Sequence, residues 1–411
     1  MDAKLEINCK KNNRLVFTEY LLFCVFLITL VLCMSKAIFG IQLSNSPLKH
    51  VPIVLFLAAF AFHIMGRYIS GTSILNFKGV IYWTWPFFIL GVYATIGSLV
   101  AKFVLKTEDN FLILGVYLML TPLFFVWGRE KEALSKIISP LISIWGLGTV
   151  VSVIGSIVRF RENEPLHEIE FLVLSFFIYT YYAYKSYGLK FLSLILIVLV
   201  SILTQKLTGY IIGLFALIYI FIIHIKNTVS PKWRGFIFTV AIILIVLFVG
   251  IAIVGFIFYR EYFPTGNTEV RLHQYDIVFQ SFLESPIWGK AYTGSSGTVY
   301  QEYLRSLNVP THSDILDLLK QGGVVAFALW VIGIQRSFRL LKYSINKNLY
   351  DPKIIAYFHA MVFMIITSVF SYAVNPLLLK PPFSFVIWGM LILAVAVASL
   401  KKEENLNDEF L

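Results

Sequence analysis

Long apolar stretches, separated by short polar segments, recur along the whole chain. A helix needs about 20 apolar residues to cross the roughly 30 Å of bilayer hydrocarbon. The pattern therefore predicts an all-α, polytopic membrane bundle with about 12 transmembrane helices. The twelve stretches are residues 16–34, 51–65, 79–103, 111–127, 137–158, 169–184, 191–203, 207–224, 235–258, 324–334, 354–374 and 383–400.

The segment 169–224 predicts three short crossings rather than two. Its 56 residues would form roughly 84 Å of helix at about 1.5 Å per residue, which is nearly three times the bilayer thickness of about 30 Å. Lys185 and Lys190 mark the first turn within it, and Lys206 marks the second.

One connection, residues 259–321, is much longer than the others and predicts a folded loop. Residues 270–283 carry apolar side chains at helical spacing, and Ser285-Pro286 ends this first loop helix. A second helix is predicted to start at Thr311 and to end at Gly322-Gly323. We therefore expect a single polytopic domain, residues 1–411, with a loop that folds against the membrane helices.

Composition and charge agree with this topology. The chain is 58% hydrophobic and 14% charged, against about half and about a quarter in soluble domains. Its net charge of +11 is spread over short clusters between the apolar stretches, so no nucleic acid partner is expected. With the N-terminus in the cytoplasm, Lys and Arg of the short loops divide 21 to 8 in favour of the cytoplasmic side. The positive-inside rule thus predicts both termini inside and the loop 259–321 outside.

Sequence motifs exclude several kinds of chemistry. The cysteines, Cys9, Cys24 and Cys33, have no metal-ligand spacing. No glycine-rich phosphate loop, Asp-x-Asp, Gly-x-Ser-x-Gly or His-Glu-x-x-His occurs in the chain. The stretch 16–34 is too long for a signal-peptide core and is interpreted as a retained span. No cofactor or metal ion is therefore expected.

Four side chains are candidates for an anion site and a catalytic base. Arg271 opens the first loop helix with Arg260 nearby, and arginine pairs with a diphosphate through several donors. Lys206 lies in a turn on the same predicted side. His312 is predicted in the first turn of the second loop helix, where the helix dipole disfavours imidazolium and favours the neutral base. The alternatives are interfacial cations that contact lipid headgroups and an exposed histidine without a role.

Residues 271–327 resemble the bacterial O-antigen ligase and O-antigen polymerase family, which acts on glycans linked to undecaprenyl diphosphate. Four features carry the resemblance in order: Arg271 with its helix and the Ser-Pro-Ile-Trp-Gly run 285–289, His312 before a leucine-rich helix, the glycines of 321–323, and about twelve spans with one long external loop. One feature differs. The family often has Thr-x-Ser-Arg at the outer end of an earlier span, whereas here Lys206 stands one residue before the arginine position.

The resemblance implies a metal-independent glycosyltransferase on the outer face of the bacterial inner membrane. Arg271, with Lys206 and Arg260, would bind the diphosphate, and His312 would accept a proton. The substrate would be an undecaprenyl-diphosphate-linked oligosaccharide within membrane lipid, and a chain-length regulator or a flippase would be a partner. A polysaccharide polymerase is the first reading and a ligase to lipid A core or protein is the alternative. A flippase or another transporter stays open, although the two halves show no convincing repeat.

Reporter fusions test this topology. Fusions after Lys232 and Lys347 are expected to report the cytoplasm, and fusions near Lys206 and Ser295 the external side, because the positive charges of the short loops are retained inside. A result with Lys206 and Ser295 on opposite sides would exclude a site that both contribute to.

Overall fold

A computed structural model describes residues 2–41, 43, 46–69, 79–106, 111–129, 137–159, 166, 169–230, 232–233, 235–236, 239, 266–293, 298–299, 308–309, 313–374 and 380–408. In this part of the chain, helices account for nearly all regular structure, and the predicted all-α class is confirmed. The helices are α1 (Asp2–Phe39), α2 (Val51–Ile69), α3 (Val80–Val100), α4 (Leu112–Met119), α5 (Thr121–Gly128), α6 (Ser139–Val158), α7 (Glu170–Ala183), α8 (Tyr187–Leu203), α9 (Leu207–Thr228), α10 (Gly266–Glu284), α11 (Asp314–Lys347), α12 (Pro352–Val374) and α13 (Pro381–Asp408).

Three short elements complete the described structure. A 3-10 helix, Pro47–His50, leads into α2, and a π-helical turn, Ala101–Leu105, follows α3. Strands β1 (Thr298–Val299) and β2 (Asn308–Val309) pair antiparallel within the long loop.

Eleven of the twelve predicted stretches fall on described helices. In the described ranges, eight helices are long and apolar enough to cross a membrane. Three shorter apolar helical stretches are also present, Leu114–Gly128, Glu170–Ala183 and Tyr187–Leu203. The division of 169–224 into three helices, α7 to α9, is confirmed. Most of the stretch 235–258 lies outside the described residues.

The stretch 111–127, predicted as one helix, is divided into α4 and α5 at Leu120. Pro122 has no backbone N–H and so cannot donate to the carbonyl of Leu118. The hydroxyl of Thr121 donates to that carbonyl instead, at 2.7 Å. A side chain therefore satisfies the acceptor that proline leaves without its usual donor, as a bilayer requires.

The last two helices form the centre of the bundle. In the apolar part of Pro382–Leu400, within α13, 94% of the residues are buried. The share is 78% for Pro352–Ala373 of α12 and only 28% for Pro47–Met65. Small side chains at Ala394 and Ala396 let neighbouring helices approach α13 closely. We therefore regard α12 and α13 as the scaffold around which the other spans pack.

Contacts between helix ends agree with the predicted alternation of spans. Arg336 of α11 donates to the carbonyl of Tyr82 at the start of α3, at 2.6 Å. At the predicted external side, the guanidinium of Arg159 lies 3.5 Å from the carbonyl of Lys36. In both cases the two ends were assigned to the same side from the charges alone. The orientation, with both termini inside, stays a prediction.

The loop helices follow the sequence prediction in part. The first one, predicted for 270–283, is α10 (Gly266–Glu284) and is confirmed. The second was predicted to start at Thr311, which is wrong, because α11 begins at Asp314 with Ser313 as its N-cap. The Ser313 hydroxyl accepts from the backbone N–H of Leu316 at 3.3 Å, so it fills the capping role.

The predicted end of that helix at Gly322-Gly323 is confirmed by a break in the helical backbone. Helix α11 continues to Lys347 through a kink at Gly323, whose φ of 63° and ψ of −165° are not helical. The first turns of α11 and the following span are therefore two helices that meet at this glycine.

Candidate active site

Two distant loop segments are joined by backbone hydrogen bonds, and we call this junction the loop clamp, formed by residues 286–292 and 320–325. The N–H of Lys290 donates to the carbonyl of Lys320 at 2.9 Å, and that of Tyr292 to Gln321 at 3.0 Å. In the reverse direction, Val324 donates to Pro286 at 2.9 Å and Val325 to Ile287 at 3.2 Å. The kink in α11 and the turn after α10 thus satisfy each other's backbone groups.

Glycines allow the two backbones of the loop clamp to approach each other. Gly289 and Gly323 have φ values of 60° and 63°, which side chains rarely tolerate. A Cβ on Gly323 would lie 2.2 Å from the carbonyl oxygen of Ile287, and one on Gly289 would lie 2.6 Å from the nitrogen of Gly323. These are the glycines that the sequence comparison singled out, and the structure gives their physical reason.

The loop clamp is docked on α3. The hydroxyl of Tyr93 donates to the carbonyl of Trp288. Tyr292 is fully buried, and its ring lies 5.2 Å from that of Tyr93 in an edge-on arrangement. Gly97 of α3 touches the backbone of Ala291, since a Cβ there would lie 1.8 Å from the Ala291 oxygen. The loop is therefore fixed against the membrane helices, as predicted.

Helices α10 and α11 contact each other and both carry buried polar side chains, which together we call the buried polar face. Asp314, Asp317 and Gln321 of α11 are 2%, 1% and 0% exposed, and Gln274 of α10 is 0% exposed. Acidic side chains buried within a membrane-spanning helix are rare and usually functional. Sequence reasoning missed this face, although polar residues at positions i, i+3 and i+7 of an otherwise apolar helix were a signal for it.

The position of Arg271 agrees with a role at this face. It lies on α10, three and seven residues before Gln274 and Val278, which are both buried. Helical spacing puts these three positions on one side of α10. The backbone of Arg271 is thus on the side of α10 that faces the protein interior.

Two predicted site residues, His312 and Arg260, lie outside the described residues. Because the described part of α11 begins at Asp314, the prediction of His312 within its first turn is wrong: in the chain it directly precedes the N-cap Ser313. Asp314 and Asp317, which are buried, follow it closely in sequence.

Lys206 is the N-cap residue of α9, after Gln205 in a left-handed conformation, and it is half-buried. The N-terminal halves of α9 and α11 both meet the C-terminal end of α12. Ring centroids are 5.5 Å apart between Phe215 and Phe370, and 6.1 Å apart between Trp330 and Tyr372. Lys206 and the loop clamp therefore lie towards the same end of the bundle.

Lys290, which follows α10, is a further cation near Arg271 in the sequence. In the structure its ammonium group pairs with the carboxylate of Glu284. Both side chains are substantially exposed, so the pair contributes little to stability. The ammonium group of Lys290 is thus already paired at the end of α10.

These elements define a class: an all-α polytopic membrane protein with a folded loop that is clamped to its spans and covers a buried polar face. Residues 192–331 match the family model described as O-antigen ligase. This match confirms the resemblance of residues 271–327 to the O-antigen ligase and polymerase family. No curated protein gives a significant match. The match and the spans imply a bacterial inner-membrane protein of the O-antigen ligase or polymerase type, a class that uses lipid-linked glycans in general.

The loop clamp is tested by Gly323→Ala. We expect a loss of about 1–3 kcal/mol in the local stability of the loop, because alanine would hold a glycine-only backbone conformation and its Cβ would overlap Ile287. Limited proteolysis of the detergent-solubilised protein should then cut the loop faster than in the wild type.

Gly188→Ala is the matched control. A Cβ there would meet only the Ser186 hydroxyl, at 3.8 Å, so the loop should keep its resistance. Equal resistance of Gly323→Ala and Gly188→Ala would show that the backbone contact is not what holds the loop.

Proposed function

We propose that this chain is a metal-independent polysaccharide polymerase, which lengthens an undecaprenyl-diphosphate-linked glycan on the outer face of the inner membrane. The observation that carries the proposal is the loop clamp. It joins the two family segments and sets α10, which bears Arg271, against the first turns of α11, which follow His312. Both proposed functional residues thus belong to segments that one junction holds together.

The donor diphosphate would meet Arg271, with Lys206 and Arg260 as further cations. A diphosphate gains negative charge as it leaves the anomeric carbon, and fixed cations stabilise that charge. The interior-facing position of Arg271 and the placement of Lys206 towards the same end of the bundle support this assignment. No step needs a metal ion, because these side chains supply the positive charge.

His312 would act as the general base. A hydroxyl of the acceptor sugar attacks the anomeric carbon of the donor, the carbon–oxygen bond to the diphosphate breaks, and the hydroxyl proton passes to the imidazole. The undecaprenyl diphosphate leaves with the bonding electron pair. Before the N-cap Ser313, the positive end of the α11 dipole favours a neutral imidazole that accepts the proton.

Asp314 and Asp317 support this role for His312. Both carboxylates are buried, and they follow His312 by two and five residues. A carboxylate that accepts from one imidazole nitrogen fixes the tautomer and stabilises the cation that forms. We assign one of these two carboxylates as the group that positions His312.

Exposed apolar side chains near the loop clamp would contact the polyprenyl chain. Phe279 and Leu283 of α10 and Ile287 and Trp288 of the following turn are each at least half exposed, at 50%, 51%, 59% and 58%. Aromatic and aliphatic side chains of this kind gather at the membrane interface. They would hold the lipid beside its own diphosphate.

Polymerase is preferred over ligase because of the lysine in place of the family arginine near residue 206 and the modest size of the loop. A ligase that transfers the glycan to lipid A core or to protein is the second candidate, and the family match covers both. A flippase remains the alternative from another class. It has less support, since a clamped loop over buried carboxylates is not needed for transport.

His312→Ala is expected to reduce the reaction by about 100 to 10,000-fold, the usual cost of removing a general base. If the chain is a polymerase, cells with this variant should accumulate lipid-linked single units; if it is a ligase, they should accumulate lipid-linked long chains. Extraction of lipid-linked glycans followed by size analysis distinguishes the two.

The matched control for this experiment is His224→Ala, which removes an exposed histidine at the end of α9. It should give the wild-type product at the same protein level. A normal product from His312→Ala would remove the catalytic role, and a loss of external single units themselves would favour the flippase.

Arg271→Lys is expected to lose most of the activity although the charge is kept. A planar guanidinium grips a diphosphate through paired donors, whereas an ammonium group is a point charge. Product length in membranes with matched protein amounts is the measurement, and Arg339→Lys, an exposed position on α11, is the control. Full activity in Arg271→Lys would reduce Arg271 to a headgroup contact.

A further inference from the structure

A polar cavity lies at the opposite end of the bundle from the loop clamp. It has a volume of about 420 Å³ and is enclosed by α7, α9, α11 and α12. Residues 314 and 346 of α11 are about 48 Å apart along the helix at about 1.5 Å per residue, so this cavity is remote from the buried polar face. Its size falls within the range of small-ligand sites.

Hydrogen-bonding side chains surround this cavity, and we call it the basal pocket. Its polar lining consists of Tyr182, Lys226, Asn227, Asn346, Asn348 and His359. No acidic side chain is among its lining residues in the described ranges. One cation, three amides and an imidazole without any carboxylate form an environment that suits an anion.

The imidazole of His359 is held in a fixed orientation at this pocket. It is 4% exposed, its ring stacks on Tyr182 with centroids 4.0 Å apart, and its Nδ1 lies 2.8 Å from the hydroxyl of Tyr219. In the tautomer that carries the ring proton on Nε2, Nδ1 accepts from the hydroxyl of Tyr219, since a phenol is a good donor. Nε2 has no hydrogen-bond partner among the described residues, and its N–H is therefore a donor for a ligand.

Lys226 lies at the mouth of the basal pocket. Its ammonium group donates to the Asn346 side-chain oxygen at 2.5 Å, which ties α9 to α11. The NH₂ group of Asn346 and the remaining ammonium protons of Lys226 can therefore donate to a ligand. Lys226 and Lys347 also belong to the charged side that the positive-inside rule assigns to the cytoplasm.

We propose that the basal pocket binds the phosphate of an anionic phospholipid headgroup from the cytoplasmic leaflet. The phosphate would accept from Lys226, from the Asn346 amide and from Nε2 of His359. The remaining lining is apolar, at Ile223 and Ile355 among others, and suits the glycerol part of a lipid. Basic pockets between transmembrane helices commonly bind such headgroups. This site is independent of the transfer reaction proposed for the loop.

Thermal unfolding of the purified full-length protein in detergent tests the site. The probes are phosphatidylglycerol, phosphatidylcholine with the same acyl chains, and inorganic phosphate. Phosphatidylglycerol should raise the midpoint in a concentration-dependent way, because a ligand of the folded state stabilises it, and phosphatidylcholine should not. Lys226→Gln should weaken the apparent affinity about tenfold through the loss of one charge-assisted hydrogen bond.

Lys347→Gln is the matched control, since it removes an exposed charge in the same region outside the pocket lining. It should retain the wild-type response. If inorganic phosphate stabilises the wild type but not Lys226→Gln, the pocket binds phosphate, and the ligand is free phosphate rather than a lipid headgroup. Equal losses in the two variants, or equal stabilisation by phosphatidylcholine, would overturn the proposal, because general surface charge or acyl chains would then explain the binding.

Discussion

The rest of the loop depends on one constraint, the close approach of two backbones at Gly289 and Gly323. The kink at Gly323 releases the N–H groups of Val324 and Val325 from the helix. In a membrane environment such groups must find acceptors, because no water is available. The carbonyls of Pro286 and Ile287 supply them. The kink and the docked turn therefore require each other, and neither could form with a side chain at these glycines.

This constraint explains how a long loop can present chemistry in a defined place. The turn that closes the loop clamp is wedged against α3 through Tyr93 and Tyr292. Helix α10 leads into the clamp, α11 passes through it, and the two helices contact each other with Gln274, Asp314 and Asp317 all buried. A site that must hold a charged leaving group gains from such a rigid base, since preorganised groups need no rearrangement during reaction.

The centre of the bundle links the two polar regions of the molecule. Helices α12 and α13 are the most buried of the spans, and α12 contacts both α9 and α11. At one end of α12, Tyr372 meets Trp330 near the buried carboxylates, and at the other, His359 meets Tyr219 beside the basal pocket. Polar side chains thus concentrate at the two ends of a central apolar scaffold, where the cost of burying them is lowest.

The sequence by itself determined the fold class, the division of 169–224 into three helices, helix α10 and the resemblance to the O-antigen ligase family, because hydropathy, helical spacing and short motifs are local properties of the chain. It also marked Gly289 and Gly323 as important without giving the reason. The break at Gly322-Gly323 was also predicted, but only the tertiary structure decided the start of α11 at Asp314 and the burial of Asp314 and Asp317. The tertiary structure also places Lys226 and His359 in one pocket. These features arise from contacts between segments far apart in the chain, and no local pattern encodes such contacts.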